Sequence, residues 1–236
     1  QNFFSLYKNL VHHYYFQHTR RDTFFFWTGC GAVRREAFSR VGGFDPALLS
    51  LEDIELGHRL RQAGGRVSLL PDLQCTHLKE WRFIDLIYTE IFCGALPWSR
   101  LMLSKTGMVN DLRVSFGERF RALLAGLWLG DVPAVVLGIV PGESLIVLSA
   151  LVGFMNRNFW RYLSRRKGPG FALAALLYHQ VYYLYSGAAF TGCWFEIRIY
   201  KKFFSQEKRS PAQDFQASGF PGLPSFRAKP RPEPNE

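Results

Sequence analysis

The sequence predicts an α/β half-domain followed by amphipathic and then membrane-spanning α-helices, and three observations lead there. Residues 1–82 mix polar residues, turn glycines and short alternating apolar runs. Residues 122–156 and 168–195 are strongly apolar. Basic residues gather at the ends of those apolar blocks, where positive charge marks membrane flanks. The predicted organisation is therefore 1–82, 83–121, 122–204 and a Pro-rich tail at 205–236.

Taken in order, Arg34 to Phe38 read as a short helix ended by Gly42-Gly43. Asp45-Pro46 begins a turn. Ile54, Gly57, Leu60, Arg61 and Gly64 mark a helix closing at Gly64-Gly65, and Val67, Leu69 and Leu70 alternate as a strand. Phe83, Ile84, Leu86, Ile87 and Ile91 recur near helical spacing and predict an amphipathic stretch over 83–121 that lies along a membrane. Between Arg121 and Arg157 the charges are Asp131 and Glu143. A spanning helix needs about 20 apolar residues, so this stretch is long for one crossing and short for two. Pro141-Gly142-Glu143-Ser144 would turn it into a hairpin. From Phe171 to Phe195 no charge occurs until Glu196, and Arg157, Arg161, Arg165, Arg166 and Lys167 separate the two blocks.

Composition removes several classes. Of 236 residues 48% are hydrophobic and 16% aromatic, which excludes a mainly disordered chain. Cys30, Cys75, Cys93 and Cys193 form neither a zinc-finger spacing nor a disulfide framework, and read as reduced thiols. The net charge of +10 comes from 29 Lys+Arg against 19 Asp+Glu. Nucleic-acid binding would interleave those bases with aromatics on a wet surface, whereas here the aromatics sit inside apolar runs, so no nucleic-acid partner is expected. The charge points to anionic membrane lipid instead. The first residues show no basic, apolar and cleavage-site pattern, so no signal peptide is expected there.

Chemistry concentrates between Thr28 and His77. Gly29 and Gly31 flank Cys30, suggesting a close approach or a sharp turn. Glu52, Asp53 and Glu55 head the predicted helix. Ser50-Leu51-Glu52-Asp53 fits a capping box, and acidic residues in a first turn complement the helix dipole. An ionised carboxylate at that place can also accept a proton from a substrate hydroxyl, so capping and catalysis both remain open. His77 reads as an ordinary histidine or as a metal ligand. His12, His13 and His18 have no metal spacing. A hydrolase using Asp53 and His77 would need further metal ligands.

Taken together, the run Gly29-Cys30-Gly31-Ala32 with Arg34-Arg35 and Phe38, Val41-Gly42-Gly43-Phe44-Asp45, Glu52-Asp53-Ile54-Glu55-Leu56 with Arg59-Leu60 and Gly64, then Pro71 and His77, resembles the C-terminal half of the catalytic domain of glycosyltransferase family 2. These are inverting enzymes with a GT-A, Rossmann-like fold. Ala95-Leu96-Pro97-Trp98-Ser99-Arg100 and the apolar hairpin are similar to a membrane-bound bacterial subgroup. The resemblance implies Asp53 as the general base that deprotonates the acceptor hydroxyl, with Glu52 as its partner. It places His77 on a histidine that in some members holds Mg2+ or Mn2+ at the donor's diphosphate. It implies substrate contacts at Trp27, Gly29, Gly31, Gly42, Gly43, Phe44, Arg59, Trp98 and Arg100.

The implied reaction moves a sugar from a nucleotide-sugar donor to a lipid-linked or cell-surface glycan acceptor, in a multi-pass protein of the cell (inner or plasma) membrane with its catalytic part cytoplasmic. Only residues 1–27 precede Thr28, and they hold no Asp-x-Asp motif. The donor-binding half, with the remaining metal ligands, is therefore expected upstream. The alternative is a non-catalytic membrane anchor or assembly module in which Glu52 and Asp53 only cap a helix.

Overall fold

The computed structural model describes residues 2–103 and 115–204. Residues 104–114 of the expected amphipathic stretch and the expected tail at 205–236 lie outside the described residues. Two units divide the chain at Glu196 and Ile197, and of the second only the end of the last helix is described.

The chain opens with α1 (Phe3–His18), whose N-cap Asn2 accepts the Ser5 N–H at 2.9 Å. Tyr7, Val11 and Tyr15, spaced by four, give it one buried stripe. β1 (Asp22–Thr23) follows, then a 3-10 turn at Thr28–Cys30, α2 (Arg35–Arg40), α3 (Glu52–Gln62) and β2 (Val67–Ser68). The strands pair antiparallel, Asp22 opposite Ser68 and Thr23 opposite Val67. Next come α4 (Phe83–Glu90), a π turn at Ile91–Ala95, α5 (Leu96–Leu101), α6 (Phe116–Val136), α7 (Gly142–Met155) and α8 (Arg157–Phe204). Gly168, at φ 84 and ψ 165, interrupts α8 just before Pro169, so it is two helical pieces.

Two clusters form the core. Tyr7, Val11 and Tyr15 of α1 pack with Leu86 of α4 and with Phe159, Leu163, Ala172 and Ala175 of α8. A smaller one joins Phe26 to Leu56 and Leu60 of α3 and to Val67. Gly57 makes the second cluster possible. A Cβ there would lie 2.4 Å from the Phe24 carbonyl oxygen and 2.7 Å from the Phe26 nitrogen, so only glycine lets α3 lie against that segment.

The predicted α/β, GT-A-like class is overturned. Helix makes up 72% and strand 2% of the described residues, and the sheet has two strands. The alternation at Val67–Leu70 produces only two paired residues because its partner, Asp22–Thr23, is equally short. No parallel βα unit is present among the described residues.

The expected membrane crossings are corrected as well. Among the described residues no helix is long and apolar enough to cross a membrane, which removes the support for a multi-pass membrane location with a cytoplasmic catalytic part. The apolar block 122–156 is split after Val136 into α6 and α7. At a rise of about 1.5 Å per residue, the 14 residues of α7 reach about 21 Å, short of a hydrocarbon core of about 30 Å. The two helices form the expected hairpin, tied by Trp128 Nε1 to Ser149 Oγ at 2.9 Å and by the Ser144 hydroxyl donating to Asp131 at 2.9 Å. The second block carries His179, Gln180, Tyr183 and Cys193 buried in the protein, while Leu173, Leu177, Leu184 and Phe195 stay exposed, so one face of it packs on protein and polar side chains occupy that face.

Candidate functional site

Asp53 stands in the first turn of α3, which rests against Phe24–Phe26 through Gly57. Its Oδ2 accepts the backbone N–H and the hydroxyl of Thr28, each at 3.3 Å, and its Oδ1 accepts the Ile54 N–H at 2.8 Å. The capping box expected from Ser50 is not formed. The N-cap is Leu51, left-handed at φ 62 and ψ 19, without a side-chain cap. Leu51 is the one non-glycine with positive φ among the described residues. Such a backbone costs about 1–2 kcal/mol and marks sites where surrounding structure imposes the conformation.

Glu52, Asp53, Trp27 and Trp98 line one cavity of about 1330 Å³. Trp27 is wedged there by its neighbours. A Cβ on Gly29 would lie 2.9 Å from its ring, and one on Gly31 would lie 2.6 Å from its carbonyl oxygen. The glycines expected to contact substrate thus make room for Trp27. Trp98, in α5, stacks on Phe25 with ring centroids 5.1 Å apart. Its Nε1 is buried with no hydrogen-bond partner among the described residues.

The other expected residues are placed elsewhere. Arg59 is committed to Glu55, its Nε donating to both carboxylate oxygens at 2.9 and 2.7 Å, and to the carbonyls of Val41 and Gly43. It thereby fastens the Gly42-Gly43 turn, where φ is 82 and 69, to α3. Phe44 packs edge-on against Phe38 at 5.3 Å. Arg100 pairs with Glu196 at 3.2 Å. None of these lines the cavity.

His77 does not line the cavity either. Its N–H donates to Asn9 Oδ1, its carbonyl accepts from Asn9 Nδ2, and its Nδ1 accepts the Lys79 N–H at 3.2 Å. Its ring lies beside Trp81, at 6.2 Å. Among the described residues no group of three His, Cys, Asp or Glu could hold a metal ion. The resemblance placed only His77 of the Mg2+ or Mn2+ ligands in this chain, and its other ligands were expected upstream.

Reading the sequence missed the cavity's inner polar groups. Glu90 is buried and takes Lys8 Nζ at 2.6 Å together with the Tyr185 hydroxyl. Glu118, also buried, accepts the Tyr15 hydroxyl at 2.6 Å, the Tyr183 hydroxyl, and Arg121. Tyr15 further meets His179 Nε2 at 3.3 Å, whose Nδ1 meets the Tyr7 hydroxyl at 2.6 Å. Burial, then Tyr15 and Glu118, push the Tyr183 hydroxyl well above its ordinary range. Burial and then Glu90 push Tyr185 up likewise. Both stay protonated and donate to their carboxylates.

No family model, curated protein or solved structure matches the chain.

Proposed function

We propose that the chain activates a hydroxyl acceptor for sugar transfer from a nucleotide-sugar donor, with Asp53 as the general base. The observation that carries this reading is the convergence of Trp27, Glu52, Asp53 and Trp98 on one large cavity. An Asp53 carboxylate oxygen takes the proton of the acceptor hydroxyl. The freed oxygen attacks the anomeric carbon of the sugar, a new C–O bond forms, and the bond to the nucleoside diphosphate breaks with inversion. Thr28 fixes the carboxylate rotamer, the orientation that lets proton removal accompany attack. Trp27 offers an aromatic face to a sugar.

The test is transfer by the full chain from labelled nucleotide sugars to a hydroxyl acceptor, with the product's anomeric configuration read by NMR. An inverted product that depends on Asp53 supports the reading. Retention of configuration, or transfer indifferent to Asp53, overturns it.

A second, non-catalytic reading rests on one specific observation. Both Asp53 oxygens are already bonded, to Thr28 and to the Ile54 N–H, so the residue also ties α3 to the 28–30 turn. On that reading Asp53→Asn costs stability and leaves transfer unchanged.

A further inference from the structure

The charge and shape of the cavity say what kind of acceptor it takes. Its described lining carries four carboxylates, Glu52, Asp53, Glu90 and Glu118, against two cations, Lys8 and Arg119. Lys8 is bound to Glu90 at 2.6 Å, and the Arg119 guanidinium lies over the Phe116 ring at 5.0 Å. At the Asp53 end the lining offers carboxylates and indoles, which suit a hydroxyl-bearing acceptor head over a phosphate-bearing one. Elsewhere in the lining, Leu123 and Leu127 of α6 and Leu184 of α8 remain 61%, 54% and 47% exposed. Apolar side chains left open inside a cavity of this size suit an apolar tail.

Small residues keep that part open. Gly126 of α6 and Gly187 and Gly192 of α8 line the cavity, and a Cβ on any of them would meet nothing within 4 Å. Glycine within a helix costs about 1 kcal/mol relative to alanine, and no close neighbour requires it at these positions. A larger side chain at Gly126, Gly187 or Gly192 would therefore project into the cavity without displacing protein.

We infer that the cavity binds an amphiphile with an uncharged, hydroxyl-bearing head at Glu52 and Asp53 and an apolar tail between α6 and α8. The inference rests on the proposed acceptor role for the position of the head, and its test is separable from that role.

Calorimetric titration of the full chain with octyl glucoside, octyl phosphate, octylammonium and free glucose, each below any micelle concentration, decides it. Octyl glucoside should bind saturably and at least tenfold more tightly than octyl phosphate, octylammonium or glucose. Gly126→Leu and Gly187→Leu should each weaken it at least tenfold, with Gly126→Ala and Gly187→Ala retaining binding and an undiminished Tm as controls for folding. Octyl phosphate or octylammonium binding as tightly as the glucoside would overturn the assignment of the head. Wild-type affinity in both leucine variants would overturn the assignment of the cavity. If binding behaves as stated and no transfer is found, the reaction falls and the ligand assignment stands. If transfer is found but glucoside binding ignores both leucine variants, the ligand assignment alone falls.

Discussion

Asp53 takes two hydrogen bonds from a single residue: its Oδ2 accepts both the backbone N–H and the hydroxyl of Thr28, each at 3.3 Å. The pair joins the first turn of α3 to the 3-10 turn behind Trp27. It holds the carboxylate of the proposed base in one rotamer at the rim of the cavity. Thr28→Val removes the hydroxyl and keeps the backbone bond. Loss of one such bond is worth about 1 kcal/mol, so kcat should fall about fivefold with the acceptor KM little changed. Thr28→Ser should restore the rate. An unchanged kcat in Thr28→Val would mean that the hydroxyl does not orient the base.

Gly57 sets where Asp53 lies. Gly57→Ala would drive a methyl group to 2.4 Å from the Phe24 carbonyl oxygen, and backbone on both sides must then move. Overpacking of this kind costs about 3 kcal/mol, against the small gain alanine brings to an ordinary helix. Urea unfolding should report that loss. A stability equal to wild type would contradict the close approach of α3 to the Phe24–Phe26 segment.

Much of α3 is legible in the sequence, because its stop lies within a few residues of its body. Ala63 caps it and Gly64 turns away at φ 81. Its N-terminus is not legible, since Ser50 is a better cap than Leu51 by residue type and tertiary packing places the boundary one residue later. The α/β reading fails because alternation at Val67–Leu70 says nothing about how long its partner strand is or whether further strands join it. The membrane reading fails for a related reason. A run of apolar residues does not reveal that α6 and α7 divide the first block after Val136, or that His179 and Tyr183 of the second face inward to polar partners. Of the site, Trp27, Glu52, Asp53 and Trp98 carry local signals. Glu90 and Glu118 do not, because their partners Tyr185 and Tyr15 lie 95 and 103 residues away.

Glu118 is buried and surrounded by donors from three helices: Tyr15 of α1, Arg121 of α6 and Tyr183 of α8. Glu118→Ala leaves two hydroxyls and a guanidinium without their acceptor. Removing one partner of a buried charge network costs about 3–5 kcal/mol. Glu118→Gln, which keeps an acceptor oxygen, should lose less than Glu118→Ala in chemical denaturation. Equal losses would mean that packing rather than hydrogen bonding holds the site.

Two histidines give the fold a pH dependence of definite sign. His13 is held below the ordinary histidine value by burial, then by the Arg166 guanidinium, and to a smaller degree by His18. The Tyr162 hydroxyl meets its Nδ1 at 2.8 Å. His58 is lowered by burial, with Glu55 pulling the other way. A value depressed in the folded state means that the unfolded chain binds the proton first. The contribution is complete above the unfolded value of about 6.5 and is lost as pH falls below it. Tm should therefore fall between about pH 7 and pH 5, and His13→Gln should flatten that fall. A Tm that rises over the same interval would contradict the burial of both rings.

The central claim is that Asp53 removes the acceptor proton, and Asp53→Asn tests it most directly. Asparagine keeps the shape and can still accept from Thr28, but it cannot take a proton. Single-turnover transfer by the full-length protein, with its expected donor-binding half, should drop at least a thousandfold, within the range expected for loss of a general base, with Tm close to wild type. Transfer surviving within tenfold would contradict the claim and leave Asp53 as a tie between α3 and the 28–30 turn.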